Sequence, residues 1–155
     1  MRIRIEVYRA DWCGAVMELF CRAVHAVDES VYSAAEKAQW APLPPDYPHW
    51  CDRLAVKRPC LAFIDDRLVG FIESDPDGYI DCLYVEPEEQ GKGVATALYD
   101  HIEAIALAAA IERLYVDASI IAQPFFACKG FERVRTNRVA RGGEVLVNYR
   151  MQKWL

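Results

Sequence analysis

Between Cys60 and Val85 the chain reads as three short apolar strands separated by two turn signals. Cys60 to Ile64 is a strand, Asp65-Asp66 a turn, Leu68 to Ser74 a strand, Asp75-Pro76-Asp77-Gly78 a turn, and Tyr79 to Val85 a strand. Connections this short make hairpins. A helical stripe follows from about Gly93 to Ala110 through Val94, Leu98, Ile102, Ile105 and Ala109, and then a strand from Arg113 to Asp117. Ahead of the hairpins lie a strand over residues 2–9, a helix capped by Asp11 with apolar positions Val16, Leu19, Phe20 and Val24, and a helix over about 46–57. Within the weakly patterned stretch 28–50, the prolines make Trp40-Ala41-Pro42-Leu43-Pro44-Pro45 irregular. A short helix over about 120–129 and two closing strands, Phe131 to Ala140 and Glu144 to Met151, complete the chain. This order requires an α/β (α+β) fold, a mixed sheet with helices on its faces.

The 155 residues show no repeat, linker or low-complexity segment, so one domain over 1–155 is expected. A formal net charge of −5 argues against a nucleic-acid partner, whose usual footprint is a basic excess, and suits a cationic small molecule. The apolar stretch 102–111 is too short to span a bilayer, so no membrane partner is expected. The first residues alternate polar and apolar, unlike a signal peptide, which points to the cytoplasm. Six cysteines, Cys13, Cys21, Cys51, Cys60, Cys82 and Cys128, are even in number but lack zinc spacing and any C-x-x-C pair, so they read as mostly buried free thiols.

The stretch Val85-Glu86-Pro87-Glu88-Glu89-Gln90-Gly91-Lys92-Gly93-Val94-Ala95 carries the most chemistry. A strand ends, and a loop with two glycines opens a helix whose first N–H groups have no helical acceptor and can bind an anion. Lys92 adds positive charge, while Glu86, Glu88 and Glu89 oppose an anion unless they face solvent. The spacing is neither that of a P-loop nor that of a dinucleotide-binding fingerprint, and a glycine pair at a helix start often has no ligand.

Gln90-x-x-Gly93-x-Ala95 resembles the acetyl-CoA-binding signature of the GNAT acetyltransferase superfamily, Arg/Gln-x-x-Gly-x-Gly/Ala. Ser119-x-x-Ala122-x-x-Phe125-Phe126-x-x-x-Gly130-Phe131 resembles the family's second hallmark, Asn, Ala, a hydrophobic residue and Tyr, then Gly-Phe. The two are separated by one helix and one strand, as in the family. The likeness is strong over about residues 60–134 and consistent in element order elsewhere.

The resemblance implies a mixed, mostly antiparallel central sheet flanked by helices, and acetyl-CoA as cosubstrate. It places the pantetheine along Leu83, Tyr84 and Val85, and the pyrophosphate on the amides of Gln90, Gly91, Lys92, Gly93, Val94 and Ala95. Ser119 matches the Asn that fixes the pantetheine, and Phe126 matches the Tyr whose hydroxyl faces the cofactor sulfur. Serine shortens the reach, and phenylalanine removes the usual proton donor. A thiol with a pKa near ~8.5 can still leave unassisted near neutral pH, and Ser119, Tyr115 and Tyr149 are other candidate donors.

The reaction expected is direct acetyl transfer to a primary amine of a small molecule or protein. The amine must be neutral to attack, so a base is needed. Glu73, near the end of its strand, is the more family-like base. Asp81 shares the face of Tyr79, Leu83 and Val85 if the strand alternates regularly. Both alternatively read as solvated charge. Tyr32, Trp40, Tyr47 and Trp50 make either a pocket wall or core packing, and Tyr32 and Trp40 are the substrate-binding candidates because the family places acceptor specificity in this region. His25 reads as the C-terminal histidine of its helix, and Tyr149 and Trp154 as core or homodimer contacts. The rival from another class is a non-catalytic acyl-CoA-binding module with a degenerate site.

Overall fold

The computed structural model describes residues 2–155. Among these, the strands β1 (Ile3–Val7), β2 (Cys60–Ile64), β3 (Arg67–Ser74), β4 (Tyr79–Val85), β5 (Arg113–Ser119), β6 (Glu132–Arg141) and β7 (Glu144–Trp154) form one sheet in the order β1-β2-β3-β4-β5-β7-β6. Every neighbouring pair is antiparallel except β4 and β5, which are parallel and meet only at Tyr79–Tyr115 and Ile80–Val116. Helices α1 (Cys13–His25), α2 (Ala34–Trp40) and α3 (Tyr47–Lys57) cover one face, and α4 (Val94–Ala108) and α5 (Gln123–Cys128) cover the other. The sheet separates two apolar cores, one built with α1 and α3 on Leu61, Phe63 and Phe71, the other with α4 on Ala62, Val69 and Ile72. No helix among the described residues is long and apolar enough to cross a membrane.

Gly78 sets the geometry that matters most. Its φ is +96°, and a Cβ there would lie 2.0 Å from the Arg113 carbonyl oxygen. Only glycine lets this turn approach β5 so closely. The Gly78 carbonyl accepts from Tyr115 N at 3.0 Å, clamping the start of β4 to β5. Beyond Ile80 and Val116 the two strands part.

Four local readings are corrected. Asp11 does not cap α1: residues Ala10–Trp12 form a 3-10 turn, and Asp11 faces solvent beside Arg9. The segment 28–50 contains α2, opened by Ser33 and Glu36 in a reciprocal capping box, a signal present as Ser-x-x-Glu. The buried stripe of α4 is Val94, Leu98, Tyr99, Ile102 and Ala106, whereas Ile105 is 50% exposed. The helix thus lies on the sheet along its i+4 ridge. In β4 the alternation breaks. Glu73 pairs with Cys82 but Ser74 pairs with Ile80, which leaves Asp81 as the extra residue of a bulge. Asp81 therefore leaves the side of Leu83 and joins Cys82: one Arg53 nitrogen lies 3.0 Å from the Asp81 carboxylate and 3.6 Å from the Cys82 sulfur.

Candidate active site

A cavity of about 560 Å³ occupies the cleft where β4 and β5 part. Phe20, Trp40 and Trp50 from the helices of one face form its wall, and Ser119, Ala122 and Phe126 close it toward the other. A cleft through a sheet, with different chemistry at each end, can hold two reactants end to end.

The turn before α4 is held by ion pairs. Arg22 grips Glu86 with two 2.8 Å hydrogen bonds, Arg67 and Lys92 both bind Glu89, and Gln90 reaches the Val85 carbonyl at 3.4 Å. Two of the three acidic residues that oppose an anion are thereby neutralised. Lys92 is also engaged, so the helix end itself supplies the free positive potential. Gly91 and Gly93 have φ of +78° and +87°, and a Cβ on either would meet no heavy atom within 4 Å. The first helical bond of α4 runs from Ala97 N to Gly93 O at 3.0 Å, so the N–H groups of Val94, Ala95 and Thr96 lie ahead of any helical acceptor. Leu83 and Tyr84 line the cavity, whereas Val85 and the turn from Gln90 to Ala95 lie outside its lining.

Ser119 lines the cavity and its Oγ accepts from Ala122 N at 3.1 Å, which shapes the turn into α5. Phe126 also lines it, 1% exposed, its ring against Phe125 and Phe131. Of the other candidate donors, Tyr115 donates to Asp77 and Tyr149 lies under Arg133, and neither lines the cavity.

At the aromatic end of the cavity Arg53 of α3, which no sequence signal singled out, is central. It donates to Glu73 through Nε at 3.4 Å and Nη2 at 2.5 Å, and Nη2 also reaches Asp81. Glu73 is 0% exposed and lies outside the cavity lining, while Arg53 and Asp81 line it. Lys57 adds a 3.0 Å ion pair to Asp81. Glu73, Asp81 and Cys82 offer ligand atoms within 4.8 Å of one another, but a guanidinium nitrogen already contacts all three. Burial, then the charge of Glu73, pushes the Cys82 thiol well up, so it stays protonated at neutral pH.

Tyr32 is 2% exposed; its hydroxyl donates to the Val147 carbonyl at 2.6 Å and accepts from Ile120 N at 2.9 Å. It straps the segment before α2 to the turn after β5. Trp40 stacks edge-on against Tyr32 and donates its indole N–H to the Tyr84 hydroxyl at 3.1 Å. Tyr47 is half-exposed and lies outside the cavity. His25 Nε2 lies 2.8 Å from the Ala41 carbonyl, which makes that nitrogen a donor. Trp154 is 63% exposed and so is not a core residue. A second polar cluster at the cavity edge escaped sequence reading: Asp117 of β5 accepts from Tyr79, Asn137 and both ends of the Arg150 fork. Burial opposes its charge, but Arg150, Tyr79 and Asn137 together hold its carboxyl below the usual range.

Strand, glycine turn and helix on one side of a split sheet, with a cleft leading to an aromatic chamber, are consistent with an acyltransferase of the acetyl-CoA-using kind, and comparison with known proteins shows that class. Residues 55–153 match the acetyltransferase (GNAT) domain family. The chain is 35% identical over 150 residues to the "uncharacterized N-acetyltransferase YafP" of Escherichia coli K12, covering 97% of this chain and 95% of that one. A Rhodopseudomonas palustris structure, described as a "GCN5-related N-acetyltransferase: aminotransferase, class-II", superposes with a TM-score of 0.94 at 30% identity over 100% of this chain and 97% of that one. The fold is shared at 19% identity by the PaiA N-acetyltransferase of Thermoplasma acidophilum, solved in complex with coenzyme A (TM-score 0.79, 100% of each chain). This chain belongs to the GNAT acetyltransferase family.

Proposed function

We propose that the protein transfers the acetyl group of acetyl-CoA directly to a primary amine carried by a small molecule or a protein. The observation that supports this most is the cleft between β4 and β5, which joins the Ser119–Phe126 end to the chamber of Trp40, Trp50 and Asp81. Similar folds solved with coenzyme A from T. acidophilum and with acetyl-CoA from Sinorhizobium meliloti lend weight to the cosubstrate.

In this reading the amides at the start of α4 hold the pyrophosphate, and the backbone of Leu83 to Val85 and Ser119 align the pantetheine. The amine nitrogen attacks the acetyl carbonyl carbon, the C–S bond breaks, and coenzyme A leaves as thiolate. Asp81 at the cavity wall takes the amine proton, directly or through water. Glu73 acts behind it by anchoring Arg53. The Cys82 thiol, buried and held protonated, is a poor nucleophile, which favours direct transfer over a covalent acetyl-enzyme. Proximity and a backbone N–H on the acetyl oxygen supply the remaining rate.

The test is coenzyme A release with an amine panel from pH 6 to 9, beside a thermal-shift titration with acetyl-CoA. Saturable binding without turnover favours a non-catalytic module, and no shift removes the cofactor site altogether. Gly93→Glu places a carboxylate and a strained φ at the helix end; it should abolish acetyl-CoA binding while circular dichroism keeps the native shape.

A further inference from the structure

The hydrogen-bond inventory of the acceptor chamber is lopsided. The Tyr84 oxygen already accepts from Trp40, and its own proton has no acceptor among the described residues. Arg53 spends Nε and Nη2 on Glu73, Asp81 and Cys82, while Nη1 has no protein partner among them. Its side chain is 30% exposed and lines the cavity together with Tyr84. On the accepting side, Asp81 uses Oδ2 for both Arg53 and Lys57, which leaves Oδ1 free. The chamber therefore presents strong unmet donors from a guanidinium and a phenol, and one unmet carboxylate oxygen. Burial, first of all, pushes the Tyr84 phenol well above its ordinary range, so the donor persists at every pH at which an amine reacts.

Donors without a protein partner at a cavity wall favour an acceptor-only ligand over a bare ammonium, which is donor-only. Charge points the same way. Arg53 is matched by Glu73, Lys57 by Asp75 and Asp81, and the lining Asp117 by Arg150, while the lining residues Arg141 and Asp46 carry opposite signs. A lining near neutrality with separated donors and acceptor fits a zwitterion better than a polycation. Resting on the acetyltransferase reading above, we infer that the acceptor is an amino carboxylate: its carboxylate is held by Arg53 Nη1 and the Tyr84 hydroxyl, and its amine is received by Asp81 Oδ1. Trp40 is then a positioning residue, since its indole N–H turns Tyr84 into a donor. The aromatic wall of Phe20, Trp40 and Trp50 takes the substrate's apolar side chain.

The experiment compares matched pairs on the wild-type chain: leucine with isoamylamine, and phenylalanine with phenethylamine, each read as kcat/KM at saturating acetyl-CoA. Within each pair, with kcat/KM expressed per neutral amine, the carboxylate-bearing substrate should be favoured by roughly tenfold or more, the usual worth of a charge-assisted hydrogen bond. Tyr84→Phe should lower that ratio by about tenfold, mainly through the KM of the amino acid. Acetylation of the decarboxylated amines as well as or better than the amino acids overturns the inference and leaves the acetyltransferase reading standing. An unchanged ratio in Tyr84→Phe also overturns it. Absence of transfer to either class overturns both.

Discussion

At position 126 a single atom separates this chain from its family's usual pattern. Phe126 packs edge-to-face against Phe125 at 5.3 Å and Phe131 at 5.1 Å, and it lines the cavity close to Ser119. The ring is wedged, yet it lines the cleft in which the thioester is proposed to lie. Phe126→Tyr adds one hydroxyl to a ring at that lining. A positioned acid is worth ~10²–10⁴ where the leaving group is poor, but a thiol of pKa ~8.5 needs little help. Turnover in Phe126→Tyr should equal or exceed wild type, with acetyl-CoA affinity within a few-fold, measured by coenzyme A release and calorimetric titration. A large loss of affinity would instead show that the wedge tolerates no added atom. Ser119 needs no such test of geometry, because its Oγ already holds the Ala122 amide and shapes the turn.

Among the elements, β4 and β5 carry the consequences. Asp117 ties Tyr79 of β4, Asn137 of β6 and Arg150 of β7 to β5, just where the sheet starts to split. Its folded-state pKa is lowered, so its stabilisation is present above the unfolded value of ~3.9 and is lost as pH falls through the lower folded value. Asp117→Asn should be less stable than wild type at pH 7, and the difference should shrink as pH falls below the unfolded value of ~3.9, followed by urea unfolding at each pH. An equal difference at every pH would show that the carboxylate's charge contributes nothing. The glycine turn and both hairpins were legible in the sequence because their chemistry is local: Gly78 and Gly93 answer to their own φ. The bulge at Asp81 was not legible, because an extra residue exists only relative to the register of β3. Arg53 was hidden for a similar reason: a charged helical residue looks solvated until the strand opposite supplies Glu73. Lys92 shows the converse, since it was visible as a charge but its partner Glu89 was not.

Across the whole molecule, the proposed acceptor chamber depends on how firmly the α1–α3 layer is held to the sheet. α3 has a narrow apolar footing: Leu54 is its fully buried residue, and Val56 is 83% exposed. Polar contacts of Arg53 and Lys57 bind it to β3 and β4. The cysteines, expected as free thiols, add a covalent tie: Cys13 at the start of α1 is disulfide-bonded to Cys51 of α3, with a sequence separation of 38 and Cα atoms 5.6 Å apart, while Cys21, Cys60, Cys82 and Cys128 are free. Even cysteine number was the only sequence trace of this pair, because α1 and α3 meet only in the folded layer. Closing a loop of that size restricts the unfolded chain and stabilises by about 3–4 kcal/mol in the chain-entropy description. At about 2–4 °C per kcal/mol for a chain of this size, Cys13→Ser or treatment with a reductant should lower the melting temperature by roughly 6–16 °C. The bond sits on the proposed acceptor side, one residue from Trp50 and two from Arg53. Its loss should therefore raise the KM of the amine more than that of acetyl-CoA, whose proposed cradle at α4 is on the other face of the sheet. Scanning calorimetry with and without reductant, beside the two KM values, checks both parts. An unchanged melting temperature would show that the polar anchors alone hold α3, and equal shifts in the two KM values would show that the layers respond as one body.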